Sequence, residues 1–271
     1  MPLITITQSF GSNGLAIARK VAARLGWDLF DDQKLHELVQ HQGISAQEIS
    51  HLDEKSPGYW DLFFRSRPQI FLNVLESVVY EVAHRGEGVI IGHGSQLLLR
   101  DFDCAFHVRI LTMEGRRADN LSAELGISRA AAIKLIRQRD REQAGFFKFA
   151  FQLDMDDLGL YDLIINTHKL DAATAADLII SAATSEDIRA CGIKALEAME
   201  RLALEKKVRA ALLENRIDDR AILIEISENG VTSVAGVSPN PEEKKRIEAV
   251  VGAVRGVSKV VSAVEVIRGA V

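Results

Sequence analysis

The sequence contains little cysteine: of its 271 residues only Cys104 and Cys191 are cysteines, and they lie far apart. Two cysteines are too few for a disulfide framework, and they lack the paired spacing of a zinc site. We therefore expect free thiols, a reducing compartment and no bound structural metal.

Long apolar runs and an excess of basic residues are also missing. No segment reaches the roughly 18 consecutive apolar residues of a membrane span, and the first residues lack the basic and apolar regions of a signal peptide. The formal net charge is −5, whereas nucleic-acid binders usually carry a basic footprint. The sequence thus predicts a cytoplasmic protein that spans no membrane and binds no nucleic acid.

Aromatic residues stop at Tyr161. Aromatic side chains supply large pieces of a core, so the remaining chain must build its core from Val, Ile, Leu and Ala. This shift in composition predicts a second structural unit.

The first part of the chain alternates short apolar runs with amphipathic helical patterns. Such alternation predicts a parallel sheet with helices on both faces, and ligands then bind at the carboxyl ends of the strands. The predicted strands are Leu3–Thr7, Trp27–Asp31, Gly88–Gly92, Ala105–Leu111 and Tyr161–Asn166.

The last part has a different order of elements. Residues 171–202 are predicted to be helical, and the helix Leu204–Leu213 precedes two strands that meet at Asn229-Gly230, a strong hairpin signal. A proline and acidic residues then start another helix, and a valine-rich strand follows it. The order is helix, strand, strand, helix, strand.

A glycine-containing loop, Gly11-Ser12-Asn13-Gly14, joins the first strand to the first helix. A tight loop at a helix N-terminus can hold a phosphate with its backbone N–H groups. The full signature G-x-x-x-x-G-K-[ST] is not present, because Gly14 stands at the lysine position and Leu15 at the hydroxyl position. An ordinary strand-to-helix turn is the alternative interpretation of this loop.

The segment ITITQSFGSNGLAIARKVAARLGWDLFDDQKL, followed by GVIIGHGSQLLL, HVRILT and YDLIINTHKL, resembles the cytidylate kinase-like family of nucleoside monophosphate kinases. The resemblance covers about residues 3–180. It implies a P-loop kinase-like fold with a five-stranded parallel sheet and helices on both faces. It also implies ATP and Mg²⁺ as cofactors, with Gly11, Ser12, Asn13 and Gly14 holding the nucleotide.

The resemblance also implies a helical lid whose arginines stabilise the transferring phosphoryl group. The matching residues are Arg116, Arg137 and Arg141, and the alternative is a solvated helix face. On the acceptor side the matching positions are Asp32 and His93. Two arginines of the family pattern are replaced there by Glu37 and His93, so we expect CMP to bind differently, if at all.

The chain from 203 to 269 resembles a BON domain through Ala221–Ser227, Asn229-Gly230 and the turn around Gly256. We therefore expect residues 1–183 to form a kinase-like domain, 184–202 a helical connector and 203–271 a small α+β module of order αββαβ. BON domains are associated with phospholipid or small-ligand binding, but this module has no aromatic belt for a membrane. Homo-oligomer formation through the module stays open.

Two functions follow from these patterns. The first is transfer of a phosphoryl group from ATP to a nucleoside monophosphate or a similar small acceptor. The second is regulatory binding of a nucleotide by a domain that has lost catalysis, with the BON module binding a ligand or a partner. No metal-ligating cluster is predicted in either case.

Overall fold

The structure is a computed structural model that describes residues 3–41, 68–188 and 192–267. It divides into two compact units, one formed by residues 1–61 and 85–196 and the other by 62–84 and 197–271. The end of the kinase-like domain at 183 and the start of the BON-like module at 203 remain predictions from the sequence. The helix Ile193–Glu214 begins inside the predicted connector and continues into the second unit.

The first unit contains a parallel sheet of five strands in the order β2-β3-β1-β4-β5. This confirms the predicted kinase-like fold class. The strands are β1 (Leu3–Gln8), β2 (Leu29–Phe30), β3 (Gly88–Ile91), β4 (Ala105–Leu111) and β5 (Leu163–Asn166). The helices of this unit are α1 (Gly14–Leu25), α2 (Asp32–His41), α4 (Ser95–Leu98), α5 (Glu114–Leu125), α6 (Arg129–Phe151) and α7 (Ala172–Ala183).

Alternation along the central strands decides which side chains enter the core. Ile4 and Ile6 of β1 pack with Ile17 of α1 and Ile179 of α7 in one buried cluster. Successive side chains of a strand point to opposite faces, so the opposite face receives the threonines of β1. Thr5 lies there, buried, with its Oγ1 2.7 Å from Nδ1 of His107. One face of the sheet is therefore apolar. The other, called the polar face below, carries Thr5 and His107 beside the buried apolar residues Leu3 and Ile90.

Local signals set the ends of the helices. Gly26 ends α1 in the left-handed conformation, which a glycine adopts without steric cost. Ser128 begins α6 by accepting a hydrogen bond from the backbone N–H of Ala131. Asp171 caps α7 in the same way through Thr174.

The second unit contains α3 (Pro68–Arg85), of which residues 68–84 belong to it, and α8 (Ile193–Glu214). Its three-stranded sheet has the order β6-β7-β8, with β6 and β7 antiparallel and β7 and β8 parallel. These elements are β6 (Ile222–Ile226), β7 (Val231–Ser238), α9 (Pro241–Ala253) and β8 (Lys259–Val266). The predicted helix–strand–strand–helix–strand order is confirmed.

The core of this module is aliphatic, as its composition predicts. Val208 and Leu212 of α8 pack with Ile224, Val234 and the buried residues of α9. At the hairpin, Asn229 and Gly230 both have positive φ, as an Asn-Gly turn requires.

One sequence expectation about the thiols is wrong. Cys104 is buried and disulfide-bonded, so it is not a free thiol. Cys191 lies outside the described residues.

Candidate functional site

The loop after β1 is a tight turn that contains two residues with positive φ. Gly11 has a φ of 82° and Asn13 a φ of 62°, and the backbone N–H of Ser12 donates to the carbonyl of Ser9 at 3.0 Å. A Cβ added to Gly11 would also lie 3.1 Å from the carbonyl oxygen of Arg117, which is closer than ordinary van der Waals contact. The four predicted residues Gly11–Gly14 therefore form one tight turn at the start of α1.

The carbonyl groups of this turn are held by side chains from other elements. Asn120 donates to the carbonyl of Gly11 at 2.9 Å, and Arg117 donates to that of Phe10 at 3.4 Å. Thr167 contacts the carbonyl of Ser12 at 3.5 Å. These contacts fix the turn from its carbonyl side.

The backbone N–H groups of the turn, unlike its carbonyl groups, are not held by other elements among the described residues. Within the described part of the chain, no hydrogen bond takes up the backbone N–H groups of residues 13–16. The first turn of α1 has no acidic residue, so the positive end of the helix dipole is not neutralised there. The hydroxyl of Ser12 is buried and has no hydrogen-bond partner in the described ranges of the chain. Backbone donors, a hydroxyl and the helix dipole thus favour an anion at this position.

Two arginines that sequence reasoning did not single out lie at the loop. Arg117 of α5 makes a bidentate ion pair with Asp140 of α6, at 2.8 and 2.9 Å, and its side chain is only 12% exposed. The guanidinium of Arg139 lies 6.0 Å from the centre of the Phe10 ring and bonds Glu142. Arg117 and Arg139 therefore connect the loop to the helical pair α5–α6.

The predicted lid arginines take other positions. Arg116 and Arg141 are exposed, and Arg137 forms an exposed ion pair with Glu114 at 2.9 Å. The hydrogen bond from Arg137 lowers the pKa of the Glu114 carboxyl. In the described residues none of these three arginines hydrogen-bonds the loop, and the structure does not bring them together there.

Helical periodicity contained the signal that identifies Arg139. Ala132 and Ile136 are buried on the inner face of α6, and position 139 continues that face one turn later. Arg137 and Arg141 share a face with each other but not with these buried residues. An inward-facing arginine could thus have been chosen from the apolar pattern alone.

The two predicted acceptor residues lie together. Nε2 of His93 is 2.6 Å from Oδ1 of Asp32, and the imidazole is buried whereas the carboxylate is largely exposed. His93 has a φ of 59° and stands between two glycines that also have positive φ. Gly94 is required because an added Cβ would lie 2.4 Å from the ring of Phe151. The Gly-His-Gly turn therefore directs His93 toward the start of α2.

A buried arginine lies on the polar face of the sheet, near the carboxyl ends of its strands. Arg109 of β4 pairs in register with Thr7 of β1, and its Nη2 donates to Asp156 at 3.2 Å. Its guanidinium lies 5.8 Å from the centre of the Tyr161 ring. Its Nη1 is buried and has no hydrogen-bond partner among the residues that the structure describes. A buried N–H group without an acceptor is costly, so Nη1 marks a place where an anion would be stabilised in addition to Asp156.

Polar groups surround this arginine. Nε2 of Gln96 lies 3.5 Å from the hydroxyl of Tyr161, which donates to the carbonyl of Met155 at 2.7 Å. Burial raises the pKa of Tyr161, and the nearby charge of Arg109 opposes that shift. The hydroxyl of Ser95 and Oε1 of Gln96 are buried and have no hydrogen-bond partner within the described part of the chain. Arg109 is therefore linked through Tyr161 to Gln96, a group of polar side chains that sequence patterns did not reveal.

The described residues contain no group of three or more His, Cys, Asp or Glu side chains that could hold a metal ion. Across the same residues, no helix is both long and apolar enough to cross a membrane.

Comparisons with known proteins agree with the fold. Residues 3–169 match the model of the cytidylate kinase-like family, and residues 202–268 match that of the BON domain. The cytidylate kinase of Methanothrix thermoacetophila is 25% identical over 186 residues, which cover 66% of this chain and 96% of that protein. The cytidylate kinase of Pyrobaculum islandicum is 26% identical over 172 residues, with coverages of 63% and 86%.

A solved structure of an uncharacterized protein from Eubacterium ventriosum resembles this one with a TM-score of 0.54 at 21% identity. The match covers 67% of this chain and 97% of that one, and it bears on the fold alone. The family match extends over more than half of the sequence, from β1 to just beyond β5. The chain therefore belongs to the cytidylate kinase-like family and carries a BON domain in its C-terminal part.

Proposed function

We propose that the protein binds ATP at the loop Gly11–Gly14 and transfers its γ-phosphoryl group to a nucleoside monophosphate or a similar small anionic acceptor. The observation that carries the proposal is the turn itself. Its carbonyls are held by Asn120 and Arg117, while the amides of residues 13–16 and the buried hydroxyl of Ser12 have no protein partner among the described residues. Family membership supports the same activity.

The residues of the loop fit a polyphosphate. Leu15 supplies no hydroxyl for Mg²⁺, so we propose that the ion enters with the nucleotide, held mainly by phosphate oxygens. Bound ATP with Mg²⁺ would supply the transferable phosphoryl group and neutralise part of its charge. The protein's own contribution is to position the phosphates and to stabilise their charge.

Arginines of α5 and α6 are placed to supply that stabilisation. Arg117 and Arg139 already contact the loop residue Phe10. Arg116, Arg137 and Arg141 lie on the same two helices with exposed side chains, and we propose that they reach the nucleotide from there.

We place the acceptor between Asp32, His93 and Arg109. Asp32 and His93 follow strands at the carboxyl edge of the sheet, where ligands of parallel sheets bind, and Arg109 lies two residues before the end of β4. Arg109 offers a buried cationic donor for the acceptor's anionic group, while Asp32 can accept a hydrogen bond from its hydroxyl or amino group. Glu37 stands where the family pattern has a phosphate-binding arginine, so the acceptor need not be CMP.

The direct test is a coupled assay of ADP release with ATP and Mg²⁺, run separately with cytidine, uridine, adenosine and guanosine monophosphates. We expect turnover with at least one acceptor, well above the rate with ATP alone. No acceptor-dependent turnover by folded protein would exclude phosphotransfer to these acceptors.

Regulatory nucleotide binding is the second candidate function. It is favoured by Gly14 and Leu15, which remove the usual lysine and hydroxyl from the loop. In that case ATP would raise the melting temperature of the protein by mass action, while no acceptor would release ADP. The BON module would then bind a ligand or a second copy of the chain, and gel filtration with and without ATP can detect the second copy.

A further inference from the structure

The last residue of β1 and the first residue of α1 exclude each other's side chains. A Cβ added to Gly14 would lie 2.7 Å from Cβ of Gln8 and 2.6 Å from its Oε1. The contact with Oε1 can be relieved by rotating the glutamine, but Cβ is fixed to the backbone of β1. Position 14 can therefore carry a side chain only when position 8 carries none.

This relation explains the departure from the usual phosphate-binding sequence. In G-x-x-x-x-G-K-[ST] the first position is glycine and the seventh is the lysine that reaches the phosphates. In this chain the same positions are Gln8 and Gly14. A side chain is thus present at the last residue of β1 and absent at the first residue of α1. The side chain of Gln8 projects into the volume next to the N-terminus of α1.

The glutamine is in a position to act there. Its side chain is half-buried over Gly14, and among the described residues it has no hydrogen-bond partner. A carboxamide carries two N–H donors, and its ends can exchange by a rotation of the group. In the same turn the buried hydroxyl of Ser12 also has no hydrogen-bond partner from the described residues, which points independently to a ligand that accepts hydrogen bonds.

We infer that the carboxamide of Gln8 is a phosphate-binding group, a neutral donor that takes the place of the lysine ammonium. The inference rests on the proposed binding of ATP at this loop. A neutral donor makes ATP binding depend on hydrogen-bond geometry more than on charge, and it keeps a donor at this position even though position 14 has no side chain.

The experiment compares wild-type protein with Q8A, Q8E, Q8G, G14K and the double variant Q8G/G14K. The melting temperature of each variant measures how well the side chains at positions 8 and 14 pack. Calorimetric titration with ATP and Mg²⁺ measures the affinity for ATP. We expect Q8A to weaken ATP binding by about tenfold, as loss of a hydrogen bond to a charged group does, and Q8E to weaken it further through repulsion. Gln33→Glu on the exposed face of α2 changes the charge equally and is expected to leave ATP binding unchanged.

The exchange itself is tested by the double variant. We expect G14K to melt well below wild type because of the clash, and Q8G/G14K to recover both the melting temperature and ATP binding relative to the two single variants. The inference is wrong if Q8E binds ATP as wild type does, or if G14K is as stable as wild type. If the wild-type protein binds no ATP, the proposed function and the inference are both wrong. If the wild type binds ATP and Q8E binds it equally well, only the inference is wrong.

Discussion

The ion pair between Arg117 and Asp140 predicts a measurable link between the stability of the helical pair α5–α6 and the loop. Replacing Arg117 with methionine keeps much of the side-chain volume but leaves Asp140 without its bidentate partner. Removing one member of a buried pair costs roughly 3–5 kcal/mol. Because Asp140 is 39% exposed and partly hydrated, we expect a loss of about 2–3 kcal/mol.

The matched control joins the same two helices at the surface. Arg129 of α6 pairs with Asp119 of α5 at 2.9 Å, with both side chains more than half exposed. Exposed pairs contribute about 0.5 kcal/mol, so R129M is expected to change stability little. For a unit of this size the loss in R117M corresponds to a fall in melting temperature of about 4–12 °C.

Differential scanning calorimetry with and without ATP measures both effects. Since Arg117 also donates to the carbonyl of Phe10, R117M is expected to bind ATP more weakly, whereas R129M is not. Equal melting temperatures for R117M and R129M would refute the energetic reasoning. Equal ATP affinities would refute the link from this ion pair to the loop.

Three further predictions concern the acceptor side, the polar sheet face and the BON module. Arg109→Met is expected to raise KM for the acceptor at least tenfold in steady-state kinetics, while KM for ATP changes little. The control Arg100→Met, at an exposed arginine, is expected to change neither KM value. A rise of both KM values together in R109M would contradict the prediction. Burial lowers the pKa of His107 below its ordinary 6.5, so its contribution to the stability of the folded protein is complete above that pH and is lost as the pH falls. Between about pH 7.5 and about pH 5.5 the melting temperature of the His107→Gln variant should therefore fall less than that of the wild type. An equal fall in both proteins would contradict this prediction. Gly230→Ala places a Cβ 2.2 Å from the backbone oxygen of Gly256, at a residue with a φ of 73°. We expect chemical denaturation to show a loss of about 2–4 kcal/mol in the free energy of unfolding. The control Gly252→Ala lies inside α9 and has no such clash, so it should not destabilise the module.

Local patterns accounted for the elements and their order. Short Ile- and Val-rich runs predicted the five strands, and Asn229-Gly230 predicted the hairpin because only residues that tolerate positive φ form such a turn. The loop Gly11–Gly14 was found because glycines between a strand and a helix are a short-range signal. These features depend on neighbours in sequence, so the sequence is sufficient for them.

The choice between the two adjacent arginines of α5 depended on the tertiary structure. Arg116 and Arg117 are adjacent in sequence, yet Arg116 is exposed and Arg117 bonds Asp140 and the loop. Which of them faces inward depends on how α5 and α6 pack, and that packing is decided by Leu121 and Ile136 in their shared cluster. The resemblance to a family supplied arginines of the right helices but not their directions.

The amino-acid sequence by itself determined the kinase-like sheet, the BON-like order of the second unit and the position of the glycine turn, because strand alternation, helix periodicity and turn sterics act over a few residues. Only the tertiary structure decided that His93 contacts Asp32, that Arg109 is buried without a partner for Nη1, and that Gln8 fills the volume above Gly14. The physical reason is that parallel strands bring distant parts of the chain to one edge, and distances across that edge follow from register and packing rather than from any local pattern.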